Sequence, residues 1–531
     1  MGEALTTRMI MGDQPFAEIG RPVWAVTDER NDCVIAAGDL GHVDWRGRGA
    51  WKHHRVGVYE AGDLRTRHVI AVRHAVCAIA VHPQLPLAAV GTGQYDGTWD
   101  FHGQLLLLHL RTGRVTALLS KSRQVRHLRW LDDGRLAMLL SPEDKDGGFG
   151  KGFELAVAAD DWLTAPAGLV DPDAVSHPMV PSGLLYDPGA AERLTELAAA
   201  VGSSWRRRGH VRAVAATADG RVLATGAFTD LECFDPSGAP RWSLPAEGEG
   251  SADLRLSPDG ESAWVTHRGF HRDPATGRHH DRAPVAHRVS TATGDRLDEV
   301  TLASAVGLTD SAEGWLALRD LGRADGDTVL MSPAHREHSR LATPARGTNA
   351  PPLHIRHSTR LLYAEGPGPD TDATWLWAIE PPGAHGPAAR RPLFPVDWDP
   401  DSSLHPWPGP GLETETALVH AGRTYDPGRS YADGREGTYI AGRRVPDGSV
   451  AWLRLTDLPL ADVDGDEHTV YAAYRSGEVE ALNTTDGTLR WRRTAMAHGH
   501  PVTPLCLTYA AGRLLIGTVD GRVLDCAVPD R

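Results

Sequence analysis

Residues 470–493, VYAAYRSGEVEALNTTDGTLRWRR, combine short alternating segments with glycine-containing turns. Residues 470–474 and 478–482 alternate between apolar and polar or small side chains with the period of a β-strand. Gly477 and Gly487 lie between the segments and supply the backbone freedom that tight turns need. The stretch therefore predicts three antiparallel strands.

The same strand–turn–strand pattern recurs elsewhere in the chain. Residues 513–528, RLLIGTVDGRVLDCAV, repeat it, and residues 210–245 carry it through four consecutive segments. Laid along the whole chain, the pattern gives roughly ten units of four segments, and the last unit stops after its third segment. Residues 4–11, ALTTRMIM, precede the first unit and offer the missing strand.

These repeats predict an all-β protein, a β-propeller of four-stranded antiparallel blades with about seven to ten blades. We expect one ring over residues 1–531, closed by the N-terminal strand, because closure leaves no exposed sheet edge. Two smaller propellers are the alternative, with the Pro-rich residues 380–411 as the candidate boundary. Residues 165–209 form an insertion in which Asp187 and Pro188 can begin a short amphipathic helix.

Composition limits the classes of function. The formal net charge of −14 opposes general affinity for nucleic acid or anionic membranes, and no apolar run reaches membrane-spanning length. The N-terminus has no export-signal pattern, so we expect a soluble cytoplasmic protein. The cysteines are scattered without metal-ligand spacing, as expected in a reducing compartment. They are Cys33, Cys77, Cys233, Cys506 and Cys526.

Loop lengths differ between the two ends of each predicted blade. With the strands of a blade named a to d from the ring axis outward, the a–b and c–d turns are short, whereas most b–c connections and the d–a insertion at residues 165–209 are long. Loops held by a rigid scaffold often carry function, although insertions tolerated on one face would give the same pattern. The candidate partner-binding residues in these loops are aromatic, histidine and arginine side chains. They are Trp45, Trp51, His53, Tyr95, Trp99, Phe101, Phe149, Arg206 and Arg207.

Two motifs were weighed as metal sites. The spacing in the His-rich segment matches no closed metal site, so unliganded histidines are favoured there. Its histidines are His267, His271, His279, His280 and His287. Asp462, Asp464 and Asp466 resemble the start of a calcium loop, but Ala473 stands where the bidentate acid belongs. We therefore interpret that motif as a polar turn before a strand and expect no metal, no cofactor and no catalytic residue.

The units resemble known propeller repeats. HAVCAIAVHPQLPLAAVGTG with GQLLLLHLRTGRVTAL is similar to the WD40 repeat, and TVYAAYRSGEVEALNTTDGTLRW is similar to the PQQ-like repeat. A Trp-Asp pair at the end of a third strand is absent, because Trp99-Asp100 lies in a predicted loop. The resemblance implies a bacterial propeller that serves as a binding platform. The scarcity of lysine is typical of a high-GC, actinobacterial genome.

The leading hypothesis is therefore a non-catalytic scaffold that binds a protein partner through the face with long loops. Propellers of this kind resemble components of cytoplasmic regulatory or defence systems that include an ATPase. The alternatives are an enzyme of quinoprotein or lyase type, and a propeller that binds a small ligand or carbohydrate in its central channel. The expected cytoplasmic location and the lack of a vicinal cysteine pair count against a quinoprotein.

Overall fold

The computed structural model divides the chain into two compact units, a smaller unit of residues 13–209 and a larger unit of residues 1–12 and 210–531. Nearly all described regular structure is β-strand. The described residues are 3–44, 50–95, 97, 99–144, 150–174, 179–181, 183, 186–246, 251–267, 270–272, 279–281, 285–301, 306–320, 328–332, 338–341, 355–365, 375–382, 387–395, 410–424, 437–445 and 447–529.

The first strand of the chain belongs to the larger unit, and the next fourteen form the three blades of the smaller unit. They are β1 (Thr7–Met11); blade 1, β2 (Arg21–Asp28), β3 (Cys33–Asp44), β4 (Ala50–Glu60) and β5 (Thr66–Val72); blade 2, β6 (Val76–Val81), β7 (Leu87–Thr92), the additional hairpin β8 (Gln94–Tyr95) and β9 (Phe101–His102), then β10 (Leu105–His109) and β11 (Val115–Ala117); and blade 3, β12 (Val125–Trp130), β13 (Leu136–Leu140), β14 (Lys151–Val157) and β15 (Met179–Pro181).

The helix α1 (Ala190–Ala200) follows these strands, and short 3-10 helices lie at Ala17–Ile19 and Pro172–Ala174. The first strands of the three blades, β2, β6 and β12, contact one another in order. An apolar core fills the space between blades 1 and 2, and α1 packs against β2 with Leu194 fully buried. A four-stranded sheet cannot bury both its faces alone, so the helix covers the face of blade 1 that no blade of this unit covers.

The larger unit contains seven further blades. Blade 4 contains β16 (Val211–Ala216), β17 (Val222–Gly226), β18 (Thr229–Phe234) and β19 (Pro240–Pro245). Blade 5 contains β20 (Ser251–Leu256), β21 (Ser262–His267), the additional hairpin β22 (Phe270–Arg272) and β23 (His279–Asp281), then β24 (Val285–Ser290) and β25 (Arg296–Thr301). Blade 6 contains β26 (Val306–Asp310), β27 (Leu316–Asp320), β28 (Thr328–Met331) and β29 (His338–Leu341). The short strand β30 (Ile355–Arg356) joins the sheet of blade 8, and the described part of blade 7 contains β31 (Leu361–Glu365), β32 (Trp375–Glu380) and β33 (Ala389–Pro395). Blade 8 contains β34 (Gly411–Glu413), β35 (Ala417–Thr424), β36 (Gly437–Arg444) and β37 (Val450–Thr456). Blade 9 contains β38 (Leu460–Gly465), β39 (Thr469–Tyr474), β40 (Glu478–Asn483) and β41 (Leu489–Thr494), followed by the small hairpin β42 (Met496–Ala497) and β43 (His500–Pro501). Blade 10 contains β44 (Pro504–Ala510), β45 (Arg513–Thr518) and β46 (Val523–Ala527).

The inner strands of these seven blades form a closed ring, in which blades 7 and 8 share an apolar core that includes Ile355 of β30. β16 contacts β20, β20 contacts β26, β26 contacts β31, and β30 pairs in parallel with β34. β34 then contacts β38, β38 contacts β44, and β44 returns to β16. The first strand of each blade is therefore the inner strand of a propeller.

The N-terminal strand completes blade 10, as the sequence predicts. β1 pairs antiparallel with β46, from Thr7 opposite Cys526 to Met11 opposite Val523. Met11 is fully buried in a core shared with blade 4 and the other strands of blade 10. The closing strand therefore supplies both ladder hydrogen bonds and apolar packing.

The propeller fold predicted from the repeats is confirmed, and the ten predicted units match ten blades among the described residues. The predicted turn glycines fit as well, since Gly220 and Gly487 have φ of 86° and 69°, which side chains rarely adopt. The boundaries of the two compact units fall at residues 12/13 and 209/210. A single ring over residues 1–531 and a subdivision near residues 380–411 both stay predictions.

The helix predicted in the insertion at residues 165–209 is present as α1. The predicted start is wrong by two residues, because the N-cap is Gly189 and no side chain caps the helix. Asp187 instead accepts a hydrogen bond from the Gly189 N–H at 3.1 Å, just before the helix. No helix in the described part of the chain is long and apolar enough to cross a membrane.

We predict that deleting residues 1–11 destabilises the whole larger unit, because it removes one strand of blade 10 and exposes its neighbour. Met11→Ala is the milder variant and should lower the free energy of unfolding by about 2–5 kcal/mol, the usual cost of a large-to-small core substitution. Thermal and urea unfolding of both variants test this. A truncated protein that melts with the wild type and stays monomeric would contradict the closure model.

Candidate functional site

The b–c connections of several blades protrude as β-hairpins beyond their sheets. In blade 1, β3 and β4 continue past a bulge so that Val43 pairs with Trp51 and Asp44 with Ala50. In blades 2 and 5 the additional hairpins β8–β9 and β22–β23 occupy the same position. The a–b turns lack such extensions, as at Gly220 and Gly260. The asymmetry predicted from loop lengths is therefore present in blades 1, 2 and 5, whereas the b–c connections of blades 4, 9 and 10 are short turns.

The structure describes the side chains of only some of the predicted partner-binding residues. Trp45 and Phe149 lie outside the described residues, and for Trp51 and His53 the structure describes only the backbone, which belongs to β4. The partner-binding roles of these residues therefore stay predictions.

The β8–β9 hairpin of blade 2 presents Trp99 next to a buried anchor. Trp99 is 56% exposed, whereas Phe101 is only 4% exposed. The Tyr95 and Phe101 ring centroids lie 5.3 Å apart, and the Arg126 guanidinium lies 5.1 Å from the centre of the Phe101 ring. The interpretation of Phe101 as an exposed binding residue thus needs correction, because the ring packs under the hairpin.

Blade 3 braces the same hairpin through its backbone. The Phe101 N–H donates to the Glu143 carbonyl at 3.1 Å, and Asp100 forms an antiparallel bridge with Asp144. Both contacts join the same edge of the hairpin to blade 3. Trp99 is therefore displayed on an ordered support rather than on an isolated loop.

The arginine run after α1 lies on the surface of the smaller unit. Arg206 and Arg207 are both exposed. The Arg206 N–H donates to Gln14 Oε1 at 3.1 Å, which ties this segment to the start of the unit. Exposure agrees with the prediction for both arginines, and their part in partner binding stays a prediction.

The acidic motif of blade 9 occupies a different place from the one the sequence suggests. Asp462 and Asp464 do not lie in a turn; they belong to the inner strand β38 and are 7% and 1% exposed. Both carboxylates accept backbone hydrogen bonds from β44, Asp462 from the Leu507 N–H at 2.9 Å and Asp464 from the Tyr509 N–H at 2.8 Å. They therefore link blades 9 and 10 at the ring axis.

Arg356 of β30 reaches both carboxylates. Its guanidinium lies 2.6 Å from Asp462 Oδ2 and 3.2 Å from Asp464 Oδ2, and it also donates to Thr508 Oγ1 at 2.9 Å. Thr508 in turn donates to the Val214 carbonyl of β16 at 2.7 Å. One arginine therefore connects β30 to the inner strands of blades 9 and 10, and through Thr508 to blade 4. We call Arg356, Asp462, Asp464 and Thr508 the axial network.

His357 extends the axial network toward solvent. Its side chain is half exposed, and its Nε2 lies 2.8 Å from Asp464 Oδ1. Its φ of 59° is uncommon for a residue with a side chain, and such strained backbone often marks functional positions. On the neighbouring inner strands, Arg255 lies 3.1 Å from Asp310.

The charges of the axial network shift one another's pKa values. The hydrogen bond to Asp464 raises the pKa of His357. Burial acts to raise the pKa of Asp464, but Arg356 and His357 outweigh it and hold that pKa below its ordinary value. Burial raises the pKa of Asp310. The axial end therefore combines a carboxyl group with a lowered pKa, an imidazole with a raised pKa and a second carboxyl group with a raised pKa.

The His-rich segment forms the additional hairpin of blade 5. His271 pairs with His280 and Arg272 with His279 across β22 and β23. No group of described residues is arranged to hold a metal ion.

Sequence reasoning missed Arg356 and His357. Their segment, HIRHS, has no motif, and β30 is only two residues long. The acidic pattern at Asp462 and Asp464 predicts a polar turn, whereas the structure places both residues in an inner strand. An inner strand with two acids at alternate positions was the available signal, because such acids need partners when they face a ring axis.

We predict strong coupling within the axial network. Arg356→Met should lower the free energy of unfolding by about 3–5 kcal/mol, because it leaves two buried carboxylates without their cation. Adding Asp462→Asn and Asp464→Asn to Arg356→Met should recover part of this loss. Urea unfolding of the single, double and triple variants measures the coupling, and additive effects would contradict the network.

No protein-family model matches the chain, and no curated protein is similar to it. Among solved structures, the chain is similar to U3-55K, with 12% identity, a TM-score of 0.42 and coverage of 60% of this chain and 96% of that one. It is also similar to Saccharomyces cerevisiae Sqt1, with 11% identity, a TM-score of 0.37 and coverage of 86% and 97%. A third similar structure is a catalytically inactive virginiamycin B lyase from Staphylococcus aureus with quinupristin, with 13% identity, a TM-score of 0.37 and coverage of 61% and 96%. The assignment of the fold given above comes from the sheet topology of the chain itself.

Proposed function

We propose that this protein is a non-catalytic interaction scaffold that binds a protein partner through the hairpin-bearing ends of its blades. The proposal places it in a cytoplasmic bacterial multi-protein system of regulatory or defence type, with an ATPase as a candidate partner. The observation that carries the proposal is the exposed Trp99 on the braced β8–β9 hairpin.

The physical argument concerns the cost of binding. Tryptophan is among the side chains that contribute most to interface energy. Ordering a mobile loop during association consumes part of that energy. Because Phe101 is buried and its N–H is bonded to blade 3, less ordering is needed at the Trp99 hairpin.

Charge supports a protein partner over a polyanion. The net charge of −14 opposes general binding to nucleic acid, which depends on basic side chains that neutralise phosphates. A protein surface can instead meet an aromatic residue with apolar area and hydrogen bonds.

We predict that Trp99→Ala weakens partner binding by about 2 kcal/mol or more while leaving thermal stability nearly unchanged. Trp51→Ala is expected to behave in the same way. Val115→Ala is the matched control, because Val115 is an exposed apolar residue (38%) on the outer strand of the same blade. An affinity pull-down from the native organism identifies the partner, and calorimetry with the purified partner gives the affinities. Lowered melting with unchanged binding would exclude Trp99 as a binding residue.

A second candidate function is supported by His357. An imidazole oriented by a buried carboxylate at the axial end of a propeller can bind a small ligand or transfer a proton, as in the enzymatic and ligand-binding alternatives. We predict for this case that native mass spectrometry of protein from the native organism shows a co-purifying small molecule that His357→Gln loses. Identical spectra for both proteins would remove this candidate.

A further inference from the structure

Two histidines and an aspartate with unsatisfied polar atoms meet between blades 4 and 5. Asp230 lies near the start of β18, His267 ends β21, and His287 lies in β24. In the sheet of blade 5, His267 pairs with Val285 and His287 with Val265, so the two histidines share one face of the sheet. We call Asp230, His267 and His287 the buried triad.

The buried triad leaves polar atoms unsatisfied. Asp230 is 1% exposed, and no described group makes a hydrogen bond to either of its carboxylate oxygens. His267 Nε2 lies 3.1 Å from Asp230 Oδ2, and His287 Nδ1 lies 3.4 Å from Glu299 Oε2, yet neither nitrogen is hydrogen-bonded in this arrangement. A buried carboxylate without a donor is costly, so a ligand or a proton is expected here.

The surrounding charges favour the binding of one proton by the two histidines over the binding of two. The charged and titratable groups that face the triad among the described residues are Arg296 and Glu299 of β25. Arg296 lies 3.6 Å from Asp230, whereas His267 lies closer, so a proton on His267 gives the carboxylate its nearest donor. The two imidazole rings are 4.8 Å apart, so a second proton on His287 would face a like charge.

We propose that His267 and His287 form one proton-binding site, held by Asp230, that makes the root of the β22–β23 hairpin sensitive to pH. β21 ends at His267 immediately before that hairpin, and β24 begins at Val285 after it. A change in the charge of the triad therefore acts on both legs of the hairpin. Its effect on partner recognition rests on the proposed function, whereas the proton site itself does not.

The electrostatic direction agrees with this geometry. Burial, and then the charges of His267 and Arg296, lower the pKa of His287, while Glu299 and Asp230 oppose them. When two titratable groups interact in this way, each apparent pKa belongs to the pair and not to one residue.

Histidine NMR titrations of the full chain test the coupling. In His267→Gln the titration midpoint of His287 should move up, because the neighbouring charge is gone. In Asp230→Asn it should move down, because an attractive anion is gone. Potentiometric titration of the wild type against His267→Gln/His287→Gln between pH 8 and pH 5 should show an uptake of about one proton by the pair. A His287 midpoint that equals the wild-type value in both single variants, or an uptake of two protons by the pair, would overturn the proposal.

Hydrogen exchange tests the link to the hairpin without any partner. The protection of the β22–β23 amides, corrected for intrinsic rates, should change roughly twofold or more between pH 7.5 and pH 5.5 in the wild type and stay constant in His267→Gln/His287→Gln. The β8–β9 hairpin provides the internal reference, because the triad does not belong to its unit. A pH response of β22–β23 that persists in His267→Gln/His287→Gln would contradict the link. Loss of partner binding at Trp99 would leave both measurements unaffected, so the two proposals fail separately.

Discussion

The larger unit depends on one constraint, that a four-stranded sheet must have a neighbour on each of its faces. Seven blades meet this constraint when β44 returns to β16, because every inner strand then lies between two others. Apolar packing between blades supplies most of the stabilisation, and Arg356 adds an ionic connection at the axis. The same arginine joins inner strands that are far apart in sequence, so its loss is felt in several blades at once. In the smaller unit a helix, rather than a blade, covers one face of blade 1.

Most of the fold could be predicted from the alternation of apolar residues and from the glycines at turns. Alternation marked the strands, glycines such as Gly220 marked the turns, and a unit with three strands pointed to residues 4–11 as the fourth. The first two signals are local in the sequence, and the third follows from counting the strands of each unit. The division into two units could not be found in this way, because it depends on whether β16 meets β44 or another inner strand, and inner strands of all blades look alike in sequence.

The candidate sites were less predictable for a related reason. Trp99 was identified because an aromatic residue in a polar loop is unusual, but the burial of Phe101 two residues later depends on the Glu143 segment of the next blade. The axial network joins residues separated by more than a hundred positions, as in the Arg356–Asp464 pair. No spacing rule within one segment reveals such a contact. The buried triad likewise unites strands of two blades, and only its histidines had drawn attention.

The pairing of β1 with β46 has a consequence for the order of biosynthesis. Among the described strands, β1 leaves the ribosome first and its partner β46 leaves it last. At ordinary rates of translation, β1 waits on the order of a minute for β46. During that interval the smaller unit, whose residues are all made early, can fold while an apolar strand remains unpaired beside it in the nascent chain. We expect chaperone protection of this strand, or its temporary pairing elsewhere, to be part of how the protein reaches its native state.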